Sequence, residues 1–181
     1  MKILVTGAAG FIGFNFCNYL LSKTNQDIIV GIDNLNNYYD INLKKKRLKI
    51  LKKNKRFKYY KVNINNQKKI EKIFKINKFD FVFNLAAQAG VRYSIDHPRK
   101  YIETNIAGFY NIIENSTKYK VKRLFYASSS SVYGENKNFP LKENERINPK
   151  NIYGLSKKVN EEISQIFFKY YKLKTTGLRF F

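Results

Sequence analysis

Short apolar runs alternate with amphipathic segments along the whole chain. Helical spacing of the apolar positions predicts helices at Phe11–Ser22, Ile41–Lys53, Gln67–Ile76, Arg99–Lys118 and Asn151–Tyr171. The apolar runs between them predict buried strands at Lys2–Thr6, Asp27–Ile32, Phe57–Val62, Phe79–Asn84, Arg123–Ser128 and Thr175–Arg179. This alternation favours an α/β domain, a doubly wound parallel sheet of about six strands of the Rossmann type with helices on both faces.

The length of the chain bounds its domain organisation. With 181 residues, of which 44% are hydrophobic, it can form one domain with a substantial core but not two. We therefore expect a single domain over residues 1–181. In doubly wound sheets the ligand lies outside the carboxyl ends of the strands. Because the chain stops directly after the sixth predicted strand, we expect a C-terminal substrate domain to be absent.

Charge and cysteine content narrow the class of protein. A net charge of +22 would suggest a polyanion partner, but the lysines are spread over predicted surface helices without interleaved aromatics, so we expect no specific nucleic-acid partner. The apolar segment Ile3–Leu21 is interrupted by three glycines, which excludes a membrane anchor or signal peptide. The single cysteine, Cys17, provides neither a disulfide nor a metal-ligand spacing, which favours a reducing cytoplasm and no metal site.

A glycine-rich segment follows the first predicted strand and opens the first predicted helix. Gly7 permits a tight turn, Gly10 lets the backbone approach a pyrophosphate, and Gly13 allows the helix to pack close to the strand. Asp33 ends the second strand, where a carboxylate accepts hydrogen bonds from an adenosine ribose and repels a 2′-phosphate, and its neighbour Asn34 supplies no cation. A plain strand-turn-helix corner is the alternative, but the Asp33 spacing predicts a site for NAD rather than NADP.

Tyr153 and Lys157 lie four residues apart, on one face of the last predicted helix. A lysine-rich chain produces such pairs by chance, but here a run of four serines ends the preceding strand and so reaches the same crevice. A free tyrosine has a pKa of ~10, so it needs a nearby cation to act as a base near neutral pH. A serine hydroxyl can orient the reacting alcohol. The sequence therefore predicts a catalytic site at this strand end.

Several segments together resemble the extended short-chain dehydrogenase/reductases: Thr6–Gly13 (TGAAGFIG), Ser128–Gly134 (SSSSVYG), Tyr153–Lys157 (YGLSK) and Gly177–Phe181 (GLRFF). Two more are similar to the UDP-glucuronate 4-epimerases of that group, Gly31–Asp40 and Asn84–Ser94. The similarity runs through the whole chain.

The resemblance implies an NAD-dependent nucleotide-sugar 4-epimerase that interconverts UDP-glucuronate and UDP-galacturonate. In this family Tyr153 would remove the proton of the sugar 4-OH while the C4 hydride passes to NAD, and Lys157 would hold the nicotinamide ribose. Ser129 would bond the 4-OH. Related dehydratases carry Asp and Glu where this chain has Ser130 and Ser131, so the resemblance also argues against elimination.

The resemblance further places the cofactor and substrate contacts. The residues expected at NAD are Gly7, Gly10, Phe11, Ile12, Gly13, Asp33, Asn34, Asn63, Ile64, Leu85, Ala86, Ala87, Asn105, Tyr153 and Lys157. Arg92, Ser129 and Ser130 are expected at the substrate, where Arg92 would pair with a uronate carboxylate or with the diphosphate. Asn63 stands where the family usually has an acidic residue for the adenine amino group, so we expect weaker binding there.

Other interpretations stay open from the sequence. The chain could belong to an epimerase acting on UDP-glucose or on a UDP-N-acetylhexosamine, it could be an NAD-binding fragment without turnover, or it could be a basic polyanion-binding protein. Related enzymes dimerise through helices equivalent to Arg99–Lys118 and Asn151–Tyr171, so a homodimer is the oligomer that the resemblance implies. Family members also continue past Arg179-Phe180-Phe181 into a domain that grips the UDP.

Overall fold

Six parallel strands form one sheet in the computed structural model, which describes residues 1–181. The strands are β1 (Lys2–Thr6), β2 (Ile28–Asp33), β3 (Phe57–Lys61), β4 (Phe81–Asn84), β5 (Arg123–Ser129) and β6 (Thr175–Phe180). Their order across the sheet is β3-β2-β1-β4-β5-β6. The chain thus moves outward from β1 in both directions, which is the doubly wound arrangement and confirms the predicted α/β fold.

Helices cover both faces of this sheet, and each face has its own apolar core. The helices are α1 (Phe11–Lys23), α2 (Ile41–Leu51), α3 (Gln67–Asn77), α4 (Tyr93–Asp96), α5 (Pro98–Tyr101), α6 (Phe109–Lys118) and α7 (Ile152–Tyr171). One core takes Leu21 from α1 and Leu48 from α2. The other takes Phe74, Ile112 and Phe167 from α3, α6 and α7. None of the helices is long and apolar enough to cross a lipid bilayer.

The predicted helix Arg99–Lys118 differs most from its prediction. Between α5 and α6 the backbone widens into π-helical turns over Ile102–Gly108. At the end of this segment Gly108 packs so closely that an added Cβ would lie 2.7 Å from Cγ1 of Ile64. The side chain of Asn111 then donates to the Ile64 carbonyl at 2.9 Å. The wide turns thus occur where the segment contacts a loop that is distant in sequence. The periodicity of apolar residues does not predict such turns.

Two other elements were not predicted. The short helix α4 precedes α5, and one turn of 3₁₀-helix, Ser130–Tyr133, follows β5. In the 3₁₀ turn the Ser129 hydroxyl accepts a hydrogen bond from the backbone N–H of Ser131 at 3.2 Å. Both elements are about one turn long, so no apolar periodicity could reveal them.

The parallel register brings the chemically interesting residues to one edge of the sheet. Thr6, at the end of β1, pairs with Ile32 of β2 and with Asn84 of β4. The Thr6 hydroxyl also donates to the Asn84 side chain at 2.7 Å, which locks the two central strands together at this edge. Ser129 ends β5 and pairs with Phe180 of β6. The predicted site residues on different strands therefore share the carboxyl edge.

Candidate functional site

A cavity lies over the carboxyl ends of β1 to β4. The predicted cofactor residues that line it are Gly7, Gly10, Asp33, Asn34, Asn63, Ile64, Leu85, Ala86 and Ala87. Sequence reasoning missed Ile32, Asn36, Val62 and Thr104, which also line it. Ile32 and Val62 adjoin predicted residues along the chain and Asn36 lies two positions from one, so a wider window would have found all three. Thr104 lies in the π-helical segment, for which the sequence carried no signal.

The glycine-rich loop is built by close backbone approach. Gly7 has a φ of +70°, and a Cβ on it would lie 2.9 Å from the backbone nitrogen of Ala86 in the neighbouring loop. A Cβ on Gly13 would overlap the carbonyl oxygen of Gly7. A side chain at either position would therefore force the glycine-rich loop away from helix α1 or from the loop after β4. The structure thus gives both glycines the geometric task that their spacing predicts.

The N-terminus of α1 leaves its backbone N–H groups free for a ligand. Gly10 is the N-cap residue and no side chain caps the helix. The side chains of Phe11 and Ile12 are 70% and 44% exposed. Both residues lie in the first turn of α1, where an uncapped helix end favours an anion such as a pyrophosphate.

Asp33 is held in a fixed orientation by backbone donors. Its carboxylate, in a residue only 8% exposed, accepts hydrogen bonds from the backbone nitrogens of Ala9 at 3.1 Å and Leu35 at 2.8 Å. Each oxygen can accept a further hydrogen bond, and Asp33 lines the cavity. A ribose hydroxyl is a donor that this arrangement would accept.

Helix α2 carries a buried lysine near Asp33, which corrects the expectation that its lysines are all exposed. The lysines of this helix were expected on a solvated surface, but Lys44 is only 4% exposed. Its ammonium donates to the backbone and side-chain oxygens of Asn36 at 2.9 and 2.6 Å. Burial lowers the pKa of Lys44, and the negative charge of Asp33 partly opposes this shift. Lys44 thus holds Asn36, which is one of the residues that line the cavity.

Asn105 does not line the cavity, and neither do Phe11, Ile12 and Gly13 among the predicted cofactor residues. Its side chain accepts from the backbone nitrogen of Gln88 at 2.8 Å and donates to the Gln88 carbonyl at 3.0 Å. Its second N–H donates to the hydroxyl of Ser156 at 3.0 Å. Both amide hydrogens are therefore used within the protein, and Asn105 connects the loop after β4 to helix α7.

The structure brings Tyr153 and Lys157 together against the end of β5. The ammonium of Lys157 lies 5.9 Å from the centre of the Tyr153 ring and donates to the carbonyl of Ala127 at 2.7 Å. The adjoining Gly154 packs on the serine run, because an added Cβ would lie 2.6 Å from the carbonyl oxygen of Ser131. Lys157 is almost fully buried, and burial lowers its pKa to about 8.

The serine run presents its hydroxyls in different directions. Ser129 is 6% exposed and its hydroxyl lies 3.2 Å from that of Ser131, so both remain at the strand end beside α7. Ser128 instead donates to Glu161 on α7 at 2.5 Å. Burial alone would raise the pKa of Glu161, but hydrogen bonds from Arg179 and Ser128 hold it below its usual value. This carboxylate is ionised and engaged, so it is not available as a proton donor.

Two further residues bear on the site. Arg92 is exposed in the loop before α4 and makes no side-chain hydrogen bond, so no contact draws it towards the serine run. Tyr101, which the sequence did not reveal, is fully buried and packs edge-on against Tyr153 with ring centres 6.1 Å apart. Burial raises the pKa of Tyr101 to about 12, which makes it a poor base beside the more accessible Tyr153.

Known proteins resemble this chain in sequence. It is 45% identical over 182 residues to Protein CapI of Staphylococcus aureus, covering 100% of this chain and 54% of that protein. It is 42% identical over 183 residues to UDP-glucuronate 4-epimerase 4 of Arabidopsis thaliana, covering 100% of this chain and 41% of that protein. The chain thus spans about half the length of the curated relatives it matches.

Solved structures give the same result. A UDP-glucuronic acid 4-epimerase from Bacillus cereus, in complex with UDP-glucuronic acid and NAD, superposes with a TM-score of 0.91 at 33% identity, covering 99% of this chain and 56% of that one. A UDP-glucose 4-epimerase from Thermotoga maritima with UDP-glucose superposes with a TM-score of 0.88 at 36% identity, covering 99% and 55%. These relatives confirm the expected resemblance.

The family match extends over almost the whole sequence. The family model described as GDP-mannose 4,6 dehydratase matches residues 4–181. This stretch contains the glycine-rich loop, the π-helical segment, the serine run and helix α7. The chain therefore belongs to the GDP-mannose 4,6 dehydratase family.

Proposed function

We propose that this chain is the NAD-binding part of a UDP-sugar 4-epimerase whose substrate is UDP-glucuronate. The observation that carries the proposal is that one sheet edge holds both the cavity with Asp33 and the Tyr153–Lys157 pair packed against the serine run. Similar proteins solved with NAD, including the Bacillus cereus UDP-glucuronic acid 4-epimerase, support the same cofactor here.

The residues of the adenosine side fit NAD. The uncapped N-terminus of α1 offers backbone donors to the pyrophosphate, and Gly7 permits the tight turn that leads into this helix. Asp33 has lone pairs for the ribose hydroxyls, while its charge disfavours a 2′-phosphate. Asn63 and Ile64 line the cavity where the adenine would lie. When bound, NAD supplies the acceptor that takes the sugar C4 hydride and returns it.

The other side of the site moves the proton. Tyr153, as phenolate, accepts the proton of the sugar 4-OH, and Ser129 orients that hydroxyl. Lys157 provides the positive charge that favours the phenolate, and after its bond to Ala127 it still has two N–H donors for a ribose. The proton returns from Tyr153 to the oxygen once the hydride has been delivered to the opposite face of the sugar.

The family name refers to dehydration, but the strand end of this chain lacks the groups that dehydration needs. Elimination requires an acid and a base near C5 and C6 of the sugar, and Ser130 and Ser131 offer neither. The carboxylate bonded to the run, Glu161, is neutralised by Arg179 at 2.8 Å. A 4-keto uronate is a β-keto acid that loses CO₂ readily, so an epimerase gains from the same lack of acid catalysts.

UDP-glucose is the second candidate substrate. The Thermotoga maritima UDP-glucose 4-epimerase is 36% identical to this chain, slightly above the value for the Bacillus cereus enzyme. UDP-glucuronate is favoured by the similarity of the segments Gly31–Asp40 and Asn84–Ser94 and by the named relatives from Arabidopsis thaliana. Arg92 is the residue we assign to the uronate carboxylate or the diphosphate.

The chain spans about half the length of its relatives, so we propose that residues 1–181 form one NAD-binding domain and that a further domain holds the UDP. The buried free thiol of Cys17 fits a reducing cytoplasm.

Exposed aromatic side chains on α6 and α7, among them Tyr110 and Phe168, favour a homodimer through these helices. Light scattering of the purified protein measures its mass and tests the dimer.

Product NMR tests the proposed reaction. Protein that includes the sequence continuing past residue 181, incubated with UDP-glucuronate and NAD, should form UDP-galacturonate with no accumulation of NADH. A parallel reaction with UDP-glucose tests the second candidate. Release of CO₂ or formation of a 4-keto-6-deoxy sugar would contradict the interpretation of Ser130 and Ser131. Fluorescence titration of the 181-residue chain with NADH tests cofactor binding separately.

A further inference from the structure

The loops that follow β2 and β4 meet over the end of β1. Because β2 and β4 flank β1 on opposite sides, a contact between their loops must cross the edge where the glycine-rich loop begins. The contact is aromatic. The rings of Tyr38 and Tyr93 lie with their centres 5.0 Å apart and their planes inclined by 60°. The two residues are separated by more than fifty positions in sequence, so only the fold brings them together.

Tyr93 is fixed on its own side of the crossing. The imidazole of His97 packs against its ring with centres 4.2 Å apart. The ammonium of Lys100 lies 4.9 Å from the ring centre and also donates to the Tyr93 hydroxyl. The aromatic neighbour and the cation hold the Tyr93 ring in one orientation, in which it packs against Tyr38.

The loop beneath Tyr38 is shaped to receive it. Gly90 has a φ of +99°, and a Cβ on this residue would clash with the Tyr38 hydroxyl. The hydroxyl of Tyr101 donates to the carbonyls of Ala89 and Gly90, at 2.8 and 2.6 Å. Tyr101 also packs against Tyr153, so one side chain contacts both the loop beneath Tyr38 and the tyrosine that we propose to be catalytic.

The crossing borders the candidate cofactor cavity. Tyr38 and Tyr93 line a second cavity of about 530 Å³. This cavity and the cofactor cavity share the wall residues Asn34, Asn36, Asn63 and Thr104. The two tyrosines therefore lie next to the cavity in which the adenosine would bind beside Asp33.

We propose that Tyr38 and Tyr93 form a clasp that slows the release of the dinucleotide from the adenosine side of the site. The inference rests on the proposed function, in which one cofactor molecule both removes and returns the hydride and so must stay bound through the cycle. Opening the clasp separates the two rings before the adenosine can leave. The loss of the contact between the rings therefore adds to the barrier for dissociation. Affinity differences between variants of one site arise mainly in the dissociation rate.

Stopped-flow displacement of NADH tests the clasp in the 181-residue chain. NADH is bound first, excess NAD is then added, and the decay of NADH fluorescence gives the dissociation rate. We expect about tenfold faster dissociation for Tyr38→Ala, the factor that corresponds to an aromatic pair. Tyr38→Phe keeps the ring and should dissociate like wild type. Tyr19→Ala, which removes a tyrosine that is 58% exposed on α1, is the matched control and should also be unchanged.

Gly90→Ala opens the clasp from the other side and should accelerate dissociation in the same direction. Circular dichroism melts of each variant establish that it folds, and Tyr38→Ala truncates a side chain that is already 41% exposed. Wild-type dissociation from folded Tyr38→Ala, or equal acceleration in Tyr19→Ala, would overturn the clasp while leaving NAD binding intact. Failure of the wild-type chain to bind NADH at all would overturn both the clasp and the proposed function.

Discussion

The proposed adenosine side and the proposed catalytic side of the crevice are built by different means. On the adenosine side, glycines let backbone pack on backbone, and the Asp33 carboxylate is held by two backbone N–H groups nearby in the fold. On the catalytic side, long side chains reach across the sequence: Lys157 bonds the carbonyl of Ala127, and Arg179 bonds Glu161. The first side is a backbone cradle, and the second is a side-chain assembly around one helix.

The difference has an energetic consequence. The catalytic side keeps the Lys157 ammonium out of water, and its pKa of about 8 shows that the charged form is disfavoured there. On the adenosine side the buried carboxylate has hydrogen bonds that compensate its burial. Binding and turnover should therefore respond to different substitutions, and stability should improve when the catalytic cation is removed.

Tyr153→Phe should separate the two sides most sharply. The substitution removes the proton acceptor but keeps the ring that packs against Tyr101. We expect epimerisation by the full-length enzyme to fall by about 10²- to 10⁴-fold, the contribution typical of a general base, while the NADH affinity stays near the wild-type value. Product NMR and NADH titration measure the two effects.

Tyr170→Phe serves as the control for this experiment, because Tyr170 lies on the same helix and is 66% exposed. It should leave both turnover and binding unchanged. Near-normal turnover in Tyr153→Phe would mean that the Tyr153–Lys157 match arose by chance in a lysine-rich helix.

Gly13→Ala should damage the backbone cradle. An added Cβ would overlap the Gly7 carbonyl, and neither backbone segment can move without disturbing the turn. We expect the free energy of unfolding to fall by about 3 kcal/mol, the upper part of the range for overpacking, and NADH binding to be lost. Urea denaturation and NADH fluorescence provide the measurements.

Asn18→Ala on the exposed side of α1 is the control for the glycine variant. It should change stability by less than about 0.5 kcal/mol. A Gly13→Ala protein that bound NADH normally would show that the close approach of α1 to β1 does not shape the phosphate site.

The same contrast explains how far the sequence alone could predict the site. The adenosine side uses residues close together in sequence, so spacing was enough to predict Gly7, Gly13 and Asp33. Tyr153 and Lys157, the pair that we propose to be catalytic, could also be selected from the sequence, because both lie on one helix. Residues that act through long-range packing were missed, above all Tyr101, whose partner Tyr153 lies 52 positions later. Lys44 was misread because a lysine-rich helix gives no sign of which lysine is buried.

Lys157→Met should stabilise the protein without cofactor. The pKa of Lys157 falls from 10.5 to about 8 on burial, a cost of about 3 kcal/mol at neutral pH. The loss of the hydrogen bond to Ala127 offsets about 1 kcal/mol of the gain. We therefore expect the free energy of unfolding at neutral pH to rise by about 2 kcal/mol, measured by urea denaturation.

The pH dependence gives this prediction its sign. Below the folded pKa of about 8 both states bind the proton, so the full cost of burial is present. Between 8 and 10.5 only the unfolded chain keeps it, so the wild-type stability contributed by this group rises with pH. The advantage of Lys157→Met should vanish over that interval. Lys158→Met, a partly exposed neighbour, should show no such trend, and a Lys157→Met protein less stable than wild type at neutral pH would contradict the account.

Asp33→Asn should have the smallest effect and tests the adenosine side by charge alone. The amide keeps an acceptor for one backbone N–H, so the loop can hold its shape, but the repulsion of a 2′-phosphate disappears and the nearby Lys44 ammonium remains. We expect the preference for NADH over NADPH to narrow by about tenfold. Calorimetric titration with both cofactors measures it. Asp40→Asn, which changes the charge of the exposed cap of α2, should leave the preference unaltered, and an equal change in both variants would show that net charge rather than Asp33 selects the cofactor.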